Sequence, residues 1–192
     1  MTRFWSAFVL SAAATLALLA VAGWSISQIL TRPPLEKLRT AAFEMELAKG
    51  WSCDLQGTEW VCDPPGAAPR NAIAIMAMKR RGKEDTLDAY EAHLRQPQST
   101  GATGKDGARS TVEHVGRRRI GGHEWVEALQ FSSEVPDYHT YYAATVTSHL
   151  GVLVTLSAHD SVFEQRRREL EQMLGSLVIY QRDSLAGAAA GQ

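Results

Sequence analysis

The sequence predicts an α+β protein in which an antiparallel β-sheet is flanked by helices and preceded by one N-terminal transmembrane helix. Short segments of alternating apolar and polar residues, separated by glycine and proline, are typical of antiparallel strands. Two helical stripes begin near Thr86 and Ser161, and residues 4–31 carry no charge. Hydrophobic residues make up 45% of the chain and charged residues 21%, which is the composition of a folded globular protein.

Residues 4–31 form the longest apolar run of the chain. A membrane span needs about 20 residues, whereas the apolar core of a signal peptide covers about 7–15. Trp5 and Trp24 lie 19 positions apart, and the corresponding helix length of roughly 28 Å matches a hydrocarbon layer of about 30 Å. The run therefore favours a retained anchor. Cleavage after Ala22 is the alternative, because Ala20-Val21-Ala22 also suits signal peptidase.

These features divide the chain into four parts. Residues 1–31 form the anchor or signal segment, 32–42 a linker with a short helix over 36–42, 43–182 the globular α+β domain, and 183–192 a disordered tail. Counting lysine and arginine around the membrane segment places the domain in the cytoplasm. The cysteines indicate the opposite side.

Cys53 and Cys62 are the two cysteines, and they lie on either side of a turn signal. Gly57-Thr58 as a tight turn, with glycine supplying a positive φ, places them opposite each other at a non-hydrogen-bonded site. We therefore expect a disulfide, which implies an oxidising compartment and a domain on the periplasmic side of the inner membrane. Two buried thiols or half of a metal site are the alternatives, although the spacing does not suit zinc.

The same turn places three large apolar side chains, Trp51, Leu55 and Trp60, on one face of the hairpin. Large aromatic side chains more often belong to a core than to a binding surface. A structural role is therefore the first interpretation, and an exposed surface for a protein partner is the second.

The rest of the domain follows from the same signals. Gly121-Gly122 predicts a second hairpin over 111–131, which pairs Val112 with Phe131 and permits a salt bridge between Arg118 and Glu127. Gln98–Ser110 is predicted to be a polar loop. Further strands are predicted over 43–48, 72–78, 138–147, 152–158 and 177–180. Helices are predicted to begin after the cap residue Thr86 and at the capping box Ser161–Glu164. The second helix has an apolar stripe of Phe163, Leu170, Met173 and Leu174.

No catalytic, cofactor-binding or metal-binding residues are predicted. The six histidines form no His-x-x-x-His pair, and neither a Gly-x-Ser-x-Gly elbow nor a phosphate-binding loop is found. A net charge of −1 gives no reason to expect nucleic acid as a partner. Short basic runs at 79–81, 117–119 and 166–168 are interpreted as solvated faces, with an anion- or lipid-binding patch as the alternative.

The order of elements resembles that of the PsbP-like superfamily, which includes DcrB-type envelope lipoproteins. The resemblance covers most of residues 40–181 and is carried, in order, by Ile73-Ala74-Ile75, Thr86–Tyr90, Ile120–Trp125, the strand pair that ends near Ser157, and the following helix with Ser176-Leu177. The resemblance implies an α/β/α sandwich that acts as an assembly or accessory partner, in most members without enzymatic activity. The chain departs from the DcrB type because it has no lipobox cysteine near its N-terminus.

Two classes of function follow. The first is a non-catalytic cell-envelope domain, anchored through residues 4–31, that binds a protein partner or stabilises an assembly. The second is a small-molecule-binding protein or a metal-dependent hydrolase with a pocket between sheet and helices. Two histidines and an acid in one concave pocket would favour the second class.

Overall fold

The computed structural model describes residues 35–66, 71–98 and 109–180. The predicted membrane segment 4–31, the tail 183–192 and most of the Gln98–Ser110 loop lie outside these ranges. The elements are β1 (Lys37–Arg39), β2 (Phe43–Glu46), β3 (Ser52–Gln56), β4 (Glu59–Asp63), β5 (Ala72–Arg80), α1 (Leu87–Leu94), β6 (Thr111–Ile120), β7 (His123–Phe131), β8 (His139–Val146), β9 (Leu150–Ala158), α2 (Asp160–Gly175) and β10 (Val178–Ile179). Neither helix of the described residues is long and apolar enough to cross a membrane.

The strands form two antiparallel sheets, and this confirms the α+β class. The larger sheet has seven strands in the order β3-β4-β5-β9-β8-β7-β6, and the smaller one has the order β1-β2-β10. Neighbouring strands of the larger sheet mostly follow each other in the chain, so its pairing is set by hairpins. The pairing of β5 with β9 is the exception and joins the two halves.

One helix covers each face of the larger sheet. Successive residues of a strand point to opposite faces, and the two buried clusters divide accordingly. The larger cluster contains Trp125, Tyr141 and Val154 together with the buried side of α2, whereas the smaller one contains Val126, Ala128 and Tyr142 together with Leu94 of α1.

The two helices predicted after Thr86 and at Ser161 are present, with one correction at a cap. The Thr86 hydroxyl accepts a hydrogen bond from the Ala89 N–H at 3.1 Å, as an N-cap does. The second helix begins earlier than predicted: its cap is His159, whose Nδ1 accepts from the Ser161 N–H at 3.3 Å. Glu164 pairs with Arg167 within the helix instead of reaching back to the cap. The predicted stripe of Phe163, Leu170, Met173 and Leu174 is buried.

The short helix predicted over 36–42 is wrong, because this segment contains strand β1. Lys37 and Arg39 lie opposite Glu46 and Glu44 and form ion pairs at 3.2 and 3.3 Å. The Thr40 hydroxyl closes the turn to β2 by accepting from the Phe43 N–H at 3.0 Å. A helix of about two turns is marginal on its own, so pairing with β2 decides the conformation.

The second hairpin has the predicted turn but not the predicted end. Gly121 and Gly122 have φ of 54° and 85°, and the pairing next to the turn is as expected. Val112 pairs with Gln130 instead of Phe131, because the register shifts by a β-bulge between Val112 and His114. A bulge inserts one unpaired residue, and nothing in the alternation of β6 indicates its position.

Candidate functional site

The cysteine hairpin is formed by β3 and β4 and has the predicted register. Gly57 adopts a φ of 66° in the turn, and every pair from Gln56 with Glu59 to Cys53 with Cys62 is as expected. The two cysteines are joined by a disulfide, with their Cα atoms 4.0 Å apart. The link fastens the edge strand β3 to its neighbour.

The three apolar side chains of the hairpin have different environments. Trp51 is 2% exposed, and its Nε1–H donates to Oε2 of Glu169 on α2 at 2.8 Å. Trp60 is half-buried and meets the Phe43 ring edge-on at a centroid distance of 6.0 Å. Leu55 is 56% exposed. The two tryptophans therefore support the core, and Leu55 remains available on the surface.

The backbone N–H and C=O groups of Leu55 also point outward from the edge of the sheet. The Cα separation of 4.0 Å between Cys53 and Cys62 is typical of a non-hydrogen-bonded pair, and Leu55 opposite Trp60 is the next such pair. At these positions the N–H and C=O groups point away from the neighbouring strand. Among the described residues no strand lies on the outer side of β3, so this edge can accept another strand.

The opposite edge of the sheet, β6, is protected. A bulge interrupts the strand between Val112 and His114, and charged side chains follow. Arg117 donates to Oε2 of Glu91 at 2.7 Å and also pairs with Asp88, so that this edge is tied to α1. Bulges and edge charges are the usual means of preventing strand addition. Strand β3 pairs with β4 without a bulge and contains no proline, and its one charged side chain, Asp54, lies on the face opposite Leu55.

A network of charges connects the sheet to α2 and contains the predicted salt bridge. Arg118 pairs with Glu127 at 2.7 Å, which confirms the prediction, and with Glu171 at 2.8 Å. The Tyr141 hydroxyl donates to Glu127. Hydrogen bonding to Glu171 raises the pKa of Arg118, and burial raises the pKa of Tyr141. Arg118 and Tyr141 therefore act as hydrogen-bond donors in this network, which ties β6, β7 and β8 to α2.

A cleft of about 370 Å³ lies between α1 and the sheet. The Tyr142 hydroxyl in its wall bonds to Oε1 of Glu134 at 2.7 Å and to the Ser133 hydroxyl at 2.9 Å. Burial raises the pKa of Tyr142, so its phenol acts as a hydrogen-bond donor. The lining consists of Tyr90, His93, Leu94, Gln98, Ser133, Glu134, Tyr142, Leu153 and Thr155.

The predicted polar loop starts and ends at the rim of this cleft. Gln98 lines the cleft, and its N–H donates to the Ser110 hydroxyl at 2.8 Å while its carbonyl accepts from the Ser110 N–H at 2.9 Å. The Ser110 hydroxyl donates in turn to the buried Gln130 side chain at 2.7 Å. These bonds close the two ends of the loop against β7.

Sequence reasoning did not identify the residues of the cleft. Ser132 and Asp137 bracket the loop that carries Ser133 and Glu134, and they have positive φ of 55° and 62°. The segment Ser132–Tyr138 with its proline indicates a turn, but pairing of its side chains with Tyr142 depends on the fold of β8. The cleft has one histidine and one acid, which is fewer than a hydrolase site of the expected kind requires. Among all described residues, no three His, Cys, Asp or Glu side chains could hold a metal ion.

This structure is similar to several solved structures. LpqN of Mycobacterium tuberculosis, described as involved in cell envelope biogenesis, has a TM-score of 0.57 at 9% identity over 79% of this chain and 88% of its own. Cyanobacterial PsbP (CyanoP) from Synechocystis has a TM-score of 0.51 at 10% identity over 77% and 93%. The chain has the PsbP-like fold. The resemblance found in the sequence is thereby confirmed at the level of fold.

A third match, to a protein from Bacteroides thetaiotaomicron, has a TM-score of 0.56 at 13% identity over 79% of this chain. This chain spans 50% of the length of that protein. No family model and no curated protein matches the sequence. The PsbP-like fold supports many proteins of different roles, so function has to be argued from the sites.

Proposed function

We propose that this protein is a non-catalytic domain of the cell envelope that binds an extended segment of a protein partner along strand β3. The observation that carries the proposal concerns Leu55. Its apolar side chain is exposed, and its backbone N–H and C=O groups point outward from a sheet edge that no other described strand covers. Strand addition supplies affinity through main-chain hydrogen bonds and specificity through alternate side chains. The involvement of LpqN in cell envelope biogenesis agrees with an accessory role of this kind.

The hairpin is suited to present such an edge. The disulfide holds β3 against β4, and the buried Trp51, immediately before β3, is bonded to Glu169 of α2. A rigid edge loses less conformational entropy on binding than a mobile one. Leu55 would then contact an apolar side chain of the partner strand.

The proposed location is the periplasmic side of the inner membrane, with residues 4–31 as a retained single-pass anchor. The disulfide supports this location because such bonds persist in oxidising compartments. Release into the periplasm by cleavage after Ala22 is the alternative. Alkaline phosphatase fused to the C-terminus is expected to be active, since this enzyme requires an oxidising compartment; an inactive, stably expressed fusion would contradict the location.

Site-specific photocrosslinking tests the proposed edge. A photoreactive phenylalanine analogue at Leu55 is expected to crosslink one partner in intact cells, whereas the analogue at Arg168, which is exposed on α2, gives no such product. Equal crosslinking from both positions would contradict a specific edge.

A pair of variants separates backbone from side-chain recognition. Leu55→Ala removes the side chain but keeps the outward N–H, and Leu55→Pro removes that N–H without affecting a bond to β4. We expect partner capture to weaken in Leu55→Ala and to vanish in Leu55→Pro. Capture that survives in both variants, with melting temperatures unchanged, would exclude β3 as the binding edge.

A second candidate function is binding of a small molecule in the cleft beneath α1. Its volume of about 370 Å³ and the hydrogen-bonding groups of Tyr142 and His93 favour it. Small polar ligands use such convergent groups for orientation. Mass spectrometry under non-denaturing conditions tests this candidate. A ligand that remains bound to the wild-type protein and is lost in Tyr142→Phe would support it. A measured mass of the wild-type protein equal to that of the polypeptide alone would contradict it.

A further inference from the structure

A second pocket, of about 510 Å³, opens where the ends of β5 and β9 approach the turn between β1 and β2. We call it the basic pocket. Its lining consists of Ala41, Ala42, Arg80, Arg81, His149, Leu150 and Tyr180. Three of these side chains can carry positive charge, and none is a carboxylate.

Arg81 is held in place without being neutralised. Its Nε donates to the carbonyl oxygen of Asp85 at 3.2 Å, and its Nη1 donates to the carbonyl oxygen of Thr147 at 3.1 Å. Backbone carbonyls orient a guanidinium group but leave its full charge in place, in contrast to a carboxylate partner. Among the described residues no carboxylate forms an ion pair with Arg81 or with its neighbour Arg80.

The two acidic residues that are hydrogen-bonded to lining residues, Asp85 and Glu44, already have other partners. Asp85 pairs with Lys79 at 2.8 Å and accepts from the Gly82 N–H at 2.6 Å. Glu44 pairs with Arg39 at 3.3 Å, and the Tyr180 hydroxyl donates to it at 3.3 Å. The two arginines therefore leave the basic pocket with uncompensated positive charge.

We infer that the basic pocket binds a phosphate group, with the Arg80 and Arg81 guanidinium groups as its principal donors. Planar guanidinium groups form paired, charge-assisted hydrogen bonds with phosphate oxygens. His149 adds a third nitrogen donor at the wall. The phosphate can belong to a soluble ester or to a lipid headgroup, and the two sources share the same phosphate oxygens as acceptors. This inference is independent of the proposed partner strand on β3.

Calorimetric titration of the full chain in a non-ionic detergent tests the inference. The probes are inorganic phosphate and dihexanoyl phosphatidylglycerol below its micelle concentration. We expect saturable binding of at least one probe, and the tighter of the two identifies the source. Binding should be at least about tenfold weaker in the double variant Arg80→Gln/Arg81→Gln, because hydrogen bonds to charged groups are the strong ones.

Arg168→Gln is the matched control, since it removes the same charge from an exposed position on α2. Its binding should equal that of the wild type. Arg80→Gln alone keeps both carbonyl bonds of Arg81 and serves as the test if the double variant does not fold. Absence of saturable binding to both probes, or an equal loss in Arg168→Gln, would overturn the inference.

Discussion

Replacing Trp60 with alanine tests the division of the cysteine hairpin into a structural part and an exposed part. Replacing a fully buried tryptophan with alanine lowers the free energy of unfolding by about 3–5 kcal/mol. Trp60 is half-buried and keeps one edge-on aromatic contact with Phe43, so we expect a loss of about 2–3 kcal/mol in the free energy of unfolding. For a domain of roughly 150 residues, 1 kcal/mol shifts the melting temperature by about 4 °C.

The expected decrease for Trp60→Ala is therefore about 8–12 °C, measured by far-ultraviolet circular dichroism. Leu55→Ala in the same hairpin is the control. Its side chain is 56% exposed, and substitutions at such positions usually change stability by less than about 0.5 kcal/mol. A shift below about 2 °C for Trp60→Ala, or an equally large shift for Leu55→Ala, would refute the reasoning.

The remaining predictions concern the disulfide, the N-terminal segment and pH. Intact-mass analysis of protein alkylated without reduction should show no modified thiol at Cys53 or Cys62, and reduction should lower the free energy of unfolding by about 2–3 kcal/mol; two alkylated thiols in native material would contradict the disulfide. N-terminal sequencing should find residues 4–31 still attached, whereas a start at Gly23 would show cleavage. Burial acts to raise the pKa of Glu169, but hydrogen bonds from neighbouring side chains outweigh it and the pKa is lowered. The stabilisation that the ionised Glu169 carboxylate contributes is thus complete above the unfolded pKa of about 4.3. It is lost as the pH falls through the lower pKa of the folded state. Glu169→Gln should destabilise the protein at pH 7, with a difference from wild type that decreases as the pH falls below the unfolded pKa of about 4.3; a difference independent of pH would contradict this assignment.

Local signals predicted the two hairpins well because the residues that determine the turn and the pairing of a hairpin are close together in the chain. Gly57 and Gly121-Gly122 supply the positive φ of the turns, and alternation around each turn sets which residues face each other. The helix stripes follow for the same reason, since residues three and four apart lie on one face. The bulge beyond Val112 and the early cap at His159 were missed because neither has a local signature of that kind.

The sites depend on contacts between segments that are far apart in the chain. Trp51 and Leu55 have the same pattern in the sequence, but α2 covers one and leaves the other exposed. In the same way, β5 and β9 bring Arg81 next to His149, and the cleft beneath α1 is lined by both His93 of α1 and Leu153 of β9.

The sequence by itself determined the fold class, the register of the cysteine pair and the apolar run of residues 4–31. These properties follow from local backbone preferences and from hydrophobic periodicity. The tertiary structure alone decided which apolar residues are exposed, which sheet edge is unprotected and where positive charge accumulates. Burial and charge pairing depend on which distant segments pack together, and that packing is a property of the whole folded chain.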